Sequence, residues 1–295
     1  MTTTTKHATV KVINTPEILE MILSHTDMRT LLLSAQLVCR DWFNLITKSR
    51  SLQKALFFIP IKDFEWGVDE RIPNPLLTET FPSIFPSEDR PNHHRFTFST
   101  LNWIEDPSRL ARFVRPDASW RRMLVQQPPI SELGLFHVSS AMGGDSAGIS
   151  HIRANDKEQV DSPEGGLRMG KLFDVLLFSR SVQFWDWSTV RVYWATEEPI
   201  SFNGSYANIN EEFHRVLAEF GLVLYTRDVV QCSVGPRSPT AAESARRKVI
   251  EACREHGLDV DSRSREIDLS KGEVNGMKAE RRPRVPFTMT APHEL

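Results

Sequence analysis

Apolar residues near the start of the chain recur at helical spacing. Ile18, Leu19, Ile22 and Leu23 make one broad face, Leu31 to Leu33 a second short run, and Val38, Trp42, Leu45 and Ile46 follow an i, i+4, i+7, i+8 pattern. Thr15 stands at an N-cap, Pro16 at the first helical position and Glu17 near the positive helix end. Asp27 is placed to cap the second helix, and Leu52, Leu56 and Phe57 continue the pattern up to Pro60. Three short helices within residues 12–60 predict a small bundle. A unit of roughly 45 residues has little core of its own, so large apolar side chains are expected to stay uncovered and to call for a permanent partner.

The pattern then changes. Residues 61–92 are punctuated by Pro73, Pro75, Pro82, Pro86 and Pro91 and predict an ordered but irregular connection. Residues 93–235 mix both periods. Strands are expected at His94 to Ser99, Leu133 to Ser139 and Val190 to Trp194, and helices at Ala118 to Val125 and Arg168 to Phe178. A helix starting at Asn208 or Asn210 carries Phe213, Val216, Leu217 and Phe220 and stops at Gly221. Leu222 to Tyr225 and Val229 to Val234 read as paired strands turning near Asp228. Strands and helices intermingle without regular βαβ repetition, so the expected class is α+β. Over 236–258, Thr240 to Glu243 fits a capping box, and Ala242, Ala245, Val249 and Cys253 give an amphipathic helix ending at Gly257. Residues 1–11 and 259–295 are polar and are expected to be disordered.

Composition narrows the function classes. The 295 residues carry a formal net charge of −2, which provides no overall attraction to nucleic acid or anionic membrane. The longest apolar runs, such as Ala55 to Ile61, are too short to span a bilayer, and the first residues lack a secretory pattern. Three dispersed cysteines, Cys39, Cys232 and Cys253, argue against a disulfide framework and for a reducing compartment, cytoplasmic or nuclear.

The first helical unit resembles the F-box. The residues that carry the resemblance are Pro16-Glu17-Ile18-Leu19, Ile22-Leu23, Leu31-Leu32, the run Leu37-Val38-Cys39-Arg40-Asp41-Trp42, Leu45-Ile46 and Leu52. The resemblance implies docking onto the Skp-type subunit of an SCF ubiquitin ligase, with Pro16, Ile18, Leu19, Ile22, Val38, Cys39 and Trp42 at or near that interface. Two positions depart from the usual pattern: Pro16 directly precedes Glu17, and Thr26 stands where a leucine is usual. Asn74 to Leu77 with Phe81-Pro82, Ala118 to Leu124 with Gln126 to Pro129, and Gly166 to Gly170 are similar to segments of F-box proteins of filamentous-fungal type.

Other chemistry is weighed against this. Gly144-Asp145-Ser146-Ala147-Gly148 matches the hydrolase nucleophile motif, with Asp174 and His214 nameable as partners, but the sequence after Gly148 is too polar for the required helix. A flexible Gly/Ser loop is expected there instead. Adjacent His93-His94 lack the spaced partners of a zinc site, and the carboxylate pairs Glu197-Glu198 and Glu211-Glu212 need no catalytic role. Lys278, Arg281, Arg282 and Arg284 form a weak basic cluster that a solvated tail explains. Phe184, Trp185, Trp187 and Phe202 concentrate aromatic surface between a helix and a strand and are the expected target-binding residues. The sequence thus predicts a non-enzymatic F-box adaptor without metal or cofactor. The alternatives are an F-box protein acting outside a ligase and a serine hydrolase using Ser146.

Overall fold

The computed structural model describes residues 15–61, 71–86, 95–141, 144–154, 165–179, 181–185, 188–195, 207–229 and 238–267, with two-residue strands at 273–274, 277–278 and 285–286. Local signals account for the first helices. Pro16 opens α1 (Pro16–Ser24), and Asp27 caps α2 (Met28–Leu33) by accepting from the Thr30 N–H at 2.9 Å. A 3-10 turn (Ala35–Leu37) leads to Cys39, the N-cap of α3 (Arg40–Lys48), and Ser49 caps α4 (Arg50–Ala55) through the Leu52 N–H. Leu19, Leu23, Leu31, Ala35, Ile46, Leu52 and Leu56 turn inward, each at most 4% exposed.

The chain does not leave this bundle by a free linker. Phe57 takes φ +59°, which turns the backbone sharply, and its carbonyl accepts from the Leu124 N–H at 2.8 Å. Gln127 brackets the next residues: Nε2 donates to the Ile59 carbonyl at 2.9 Å and Oε1 accepts from the Ile61 N–H at 3.1 Å. Strand β1 (Ile72–Pro73) pairs with β2 (Gln126–Gln127). Between them Asn74, fully buried, caps α5 (Pro75–Thr80) and donates to the Leu124 carbonyl at 3.1 Å. The proline-rich connection therefore contains a helix. It also adds Leu77, Phe81, Ile84 and Phe85 to one hydrophobic cluster that runs from Leu19 to Ile267. The expected boundary near residue 60 is no break in the core.

Phe81 sits at the centre of that cluster, with Trp103, Phe113, Trp120 and Phe173 around it at centroid distances of 5.1–6.2 Å. These rings come from the turn after α5, from α6 (Pro107–Phe113) and its approach, from α7 (Ser119–Arg122) and from α8 (Met169–Phe178). Gly170 lets α7 and α8 touch: a Cβ there would lie 2.7 Å from the Arg121 carbonyl oxygen.

The main sheet holds β3 (Glu132–Ala141), β4 (Gly144–Arg153), β5 (Thr189–Trp194) and β6 (Leu222–Val229) in the order β5-β6-β3-β4. β3 and β6 run parallel, and the other pairs are antiparallel. One face packs Phe136, Tyr193, Val223 and Tyr225 under α9 (Ala207–Phe220), which Gly221 terminates at φ +72°. The other face, with Leu135, Val192, Trp194 and Leu224, joins the large cluster. Helix α10 (Ala241–Glu255) begins with the expected capping box at Thr240 and Glu243. Its Arg246 donates to the Leu177, Ser179 and Val182 carbonyls at 2.7–2.9 Å, closing the C-terminal end of α8. Burial pushes that guanidinium down to about 10.

The architecture is α+β, as the sequence predicts, but four segments differ. The strand expected at His94 to Ser99 is a 3-10 turn at Phe98–Thr100, with His94 outside the described residues. Phe96 N–H still bonds the Val190 carbonyl at 2.7 Å, so the segment lies along the β5 edge without pairing regularly. Asp228 sits inside an unbroken β6 opposite Ser139, not in a turn; residues 230–234 lie outside the described residues. Residues 144–153 are strand β4, not a loop, because β3 offers a ten-residue partner. Finally, α11 (Val260–Glu266) lies in the segment expected to be disordered. Leu258, Val260 and Ile267 are buried, and Arg263 reaches Asp174 on α8. Beyond it, the described residues are limited to β7 (Glu273–Val274) and β8 (Met277–Lys278), which pair together, and β9 (Val285–Pro286), which joins the outer edge of β4. Residues 1–11 lie outside the described residues.

Asp174 is 3% exposed at its side chain and also pairs with the buried Arg121, itself 7% exposed, at 2.5 Å. Removing one member of a buried ion pair strands the other charge, at a cost of about 3–5 kcal/mol. Asp174→Ala is expected to lower the unfolding free energy in urea by about that amount. The exposed pair Arg29–Glu79, broken by Glu79→Ala, should change it by less than about 1 kcal/mol.

Candidate functional site

The N-terminal helices bury one side and leave another open. On α1, with successive residues about 100° apart, Ile18, Met21 and Ile22 fall within an arc of about 100° beside the buried Leu19 and Leu23. That arc is uncovered: Ile18 is 37% exposed, Ile22 48% and Met21 63%. The 3-10 turn packs against both α2 and α3, and this adjoining unit carries Leu33 (64%), Leu37 (81%), Val38 (60%) and Phe43 (46%). These seven stand among nine exposed large apolar side chains in the described residues, so the uncovered surface is concentrated on the helices before residue 55. Glu20 accepts from the Ser49 hydroxyl at 2.6 Å, tying α1 to the start of α4.

Of the residues expected at an interface, Pro16, Ile18, Ile22, Val38 and Cys39 are exposed. Leu19 is not: it points into the core at 4% exposure, because it shares the inward side of α1 with Leu23. Trp42 is half-buried and packs against the core from α3. Cys39 stands exposed at the α3 N-cap. The open surface also includes Leu33, from the short apolar run of α2, and Met21, Leu37 and Phe43, which helical spacing alone did not single out. Met21 follows Ile18 by three positions, and Phe43 falls off the inward stripe of Trp42, Leu45 and Ile46, so both carried a signal as apolar residues out of phase with the core.

The second expected site is only partly assembled. Phe184 is a core residue at 3% exposure, packed against Phe96 and Phe98 at centroid distances of 6.1 and 5.4 Å and covered by Arg246. It is therefore no contact for a target. Trp185 is 40% exposed, while Trp187 and Phe202 lie outside the described residues. The backbone around Trp185 is firmly held. Arg95 donates to the Trp185 and Ser188 carbonyls at 3.1 and 2.6 Å, Ser188 Oγ to Gln183 and Trp185, and Thr240 Oγ1 to Phe184.

Ser146 lies in the interior of β4, opposite Ser139, and not on a strand-to-helix turn. Asp174 is buried on α8 and engaged by Arg121 and Arg263, whereas His214 is exposed on α9 across the sheet. The three residues are not brought together. Among the described residues, no group of three or more His, Cys, Asp or Glu is placed to hold a metal ion, and His93-His94 and Glu197-Glu198 lie outside them. No described helix is long and apolar enough to cross a membrane.

Residues 15–54 match the F-box domain family. No curated protein and no solved structure matches the chain. The matched span coincides with the helices whose apolar side is uncovered, and it ends within α4, before the turn at Phe57 that joins them to the remaining fold. The chain thus carries an F-box domain at residues 15–54, which in general terms associates it with adaptors of the SCF type.

Proposed function

We propose that the chain is a substrate receptor: its F-box docks onto a Skp-type subunit, and its α+β portion presents a target protein to an SCF ubiquitin ligase. The observation that carries this reading is the concentration of uncovered Ile18, Met21, Ile22, Leu33, Leu37, Val38 and Phe43 on the F-box helices. Burying such side chains is worth roughly 1.5–3 kcal/mol each, enough to drive a stable complex once ordering costs are met. The receptor then contributes geometry: a target held beside the ubiquitin-charged enzyme reacts at raised effective concentration. The reading places the protein in the cytoplasm or nucleus and among F-box proteins of filamentous-fungal type. The solvent-exposed Trp185, on a pinned loop of the α+β portion, supplies an anchor of the kind that protein interfaces favour.

Two measurements test the docking half. Co-expression with a fungal Skp-type subunit is expected to give a co-eluting heterodimer at micromolar concentration. Separate migration would remove the reading, and co-elution without ubiquitination of any captured protein would confine the chain to a role outside a ligase. Substitution then separates surface from core. Ile22→Asp and Leu37→Asp should weaken the heterodimer at least about 30-fold, the loss typical of one interface hot spot, with unchanged circular dichroism. Leu19→Asp should instead lose the folded signal.

A further inference from the structure

The two edges of the main sheet are closed in different ways. Along β5 the preceding chain lies against the edge: the Phe96 N–H donates to the Val190 carbonyl at 2.7 Å, and Arg95 donates to the Ser188 carbonyl at 2.6 Å. On the opposite edge, all ten residues of β4 pair inward with β3. Outward, Ser146 and Ala147 pair with Pro286 and Val285 of β9, and among the described residues no other strand meets that side of β4.

A long edge strand presents a row of N–H and C=O groups that templates a further strand, and proteins blunt such edges with proline, lysine or other charge. The β4 sequence has no proline and no lysine, and Asp145 and Arg153 lie near its two ends. The β9 strand is a weak cover: it is two residues long, and Pro286 has no N–H to give. It nevertheless occupies the edge as an extended segment in antiparallel register. Successive β4 residues face opposite sides of the sheet. Ala147 and Ile149 are buried on the α9 side, whereas Gly148 and Ser150 are small and half-buried, and a Cβ built at Gly148 meets no heavy atom within 4 Å. A strand added along β4 thus sets every second residue beside the apolar α9 side and the residues between them beside small side chains.

We propose that the β4 edge is a strand-addition site for an extended segment of the captured protein, running antiparallel to β4 with β-branched apolar residues at alternate positions and no proline, and that β9 is the cis occupant it displaces. This rests on the reading of the α+β portion as the target-presenting part and adds a surface at the edge opposite β5. A longer strand outcompetes β9 because it also pairs Gly148 to Ile152, which β9 leaves unmatched. In such additions main-chain hydrogen bonds supply affinity and alternate side chains supply specificity.

The test uses the full chain co-purified with its Skp-type subunit and a fluorescein-labelled octapeptide of alternating Thr and Val, with a copy N-methylated at every core amide as the control. Val285→Pro removes the N–H that β9 can give and frees the edge. In fluorescence anisotropy this variant is expected to bind the octapeptide at least about tenfold more tightly than the unaltered chain, and to ignore the methylated copy. Hydrogen exchange read by mass spectrometry should slow across residues 144–153 on addition of the peptide, with residues 189–194 unchanged. Adding Gly148→Lys, which sets an edge lysine where a side chain has room, should abolish binding. Affinity unaffected by Val285→Pro, binding of the methylated copy, protection outside β4, or self-association of Val285→Pro that excludes the peptide would overturn the site. Melting curves separate loss of binding from loss of fold; where Gly148→Lys melts early, the exchange pattern decides. Co-elution with the Skp-type subunit is read in the same preparation, so failure of strand addition and failure of adaptor docking appear as different results.

Discussion

The large core cluster and the uncovered surface both follow from the inability of four short helices to bury their own apolar surface. The α1–α4 unit has about two sides' worth of large side chains and too few residues to enclose them. One side is covered by the chain itself: Leu19, Leu23, Leu31, Ile46 and Leu52 belong to the same cluster as Phe81, Trp103 and Phe173. The other side stays uncovered, and the F-box match lies over those same helices. The two sides make opposite demands on substitution. An inward residue such as Leu19 answers to the stability of the whole molecule, whereas an outward one such as Leu37 answers to whatever covers it.

The polar atoms at the seam matter as much as the apolar contacts. A bundle joined by a tether could rotate against its neighbour. Here the stretch from Phe57 to Ile61 is hydrogen-bonded by Leu124 and Gln127, and Asn74 ties the proline-rich connection to the same backbone. Asn74, Leu124 and Gln127 fall in the stretches Asn74 to Leu77, Ala118 to Leu124 and Gln126 to Pro129, which had no evident chemistry in the sequence. In the structure they are seam residues, and a reason for their presence is mechanical coupling of the F-box to the domain that follows.

Much of the fold was legible in the sequence because local signals and periodicity agreed. The Asp27 cap, the Thr240 capping box, the stripe of α9 ended by Gly221, and α8 are each written in consecutive residues. What was not legible depends on distant partners. Residues 260–267 look polar in isolation, yet Arg263 is drawn in by Asp174 and Ile267 by the apolar core. Asp228 looks like a turn residue until β3 supplies its strand partner. The same distinction governs the sites: periodicity grouped Leu19 with Ile18 and Ile22, but which part of a broad apolar arc turns inward is decided by α4 and the bulk of the molecule. Phe184 and Trp185 are neighbours with opposite fates for that reason, one held under Arg246 and the other facing solvent.

The Asp174 bridge has a consequence for how the protein is made. Its two arginine partners lie 53 residues before it and 89 residues after it. The parallel pairing of β3 with β6 is likewise non-local, and such contacts form late because a long loop must close first. On the ribosome, the F-box helices therefore emerge long before the α11 segment that completes their shared core. Through that interval their outward apolar side is open to solvent, and Asp174 lacks one of its two arginine partners. The nascent chain thus has a prolonged need for a chaperone, or for early capture by a partner, and synthesis to the end of α11 is a condition for a finished core.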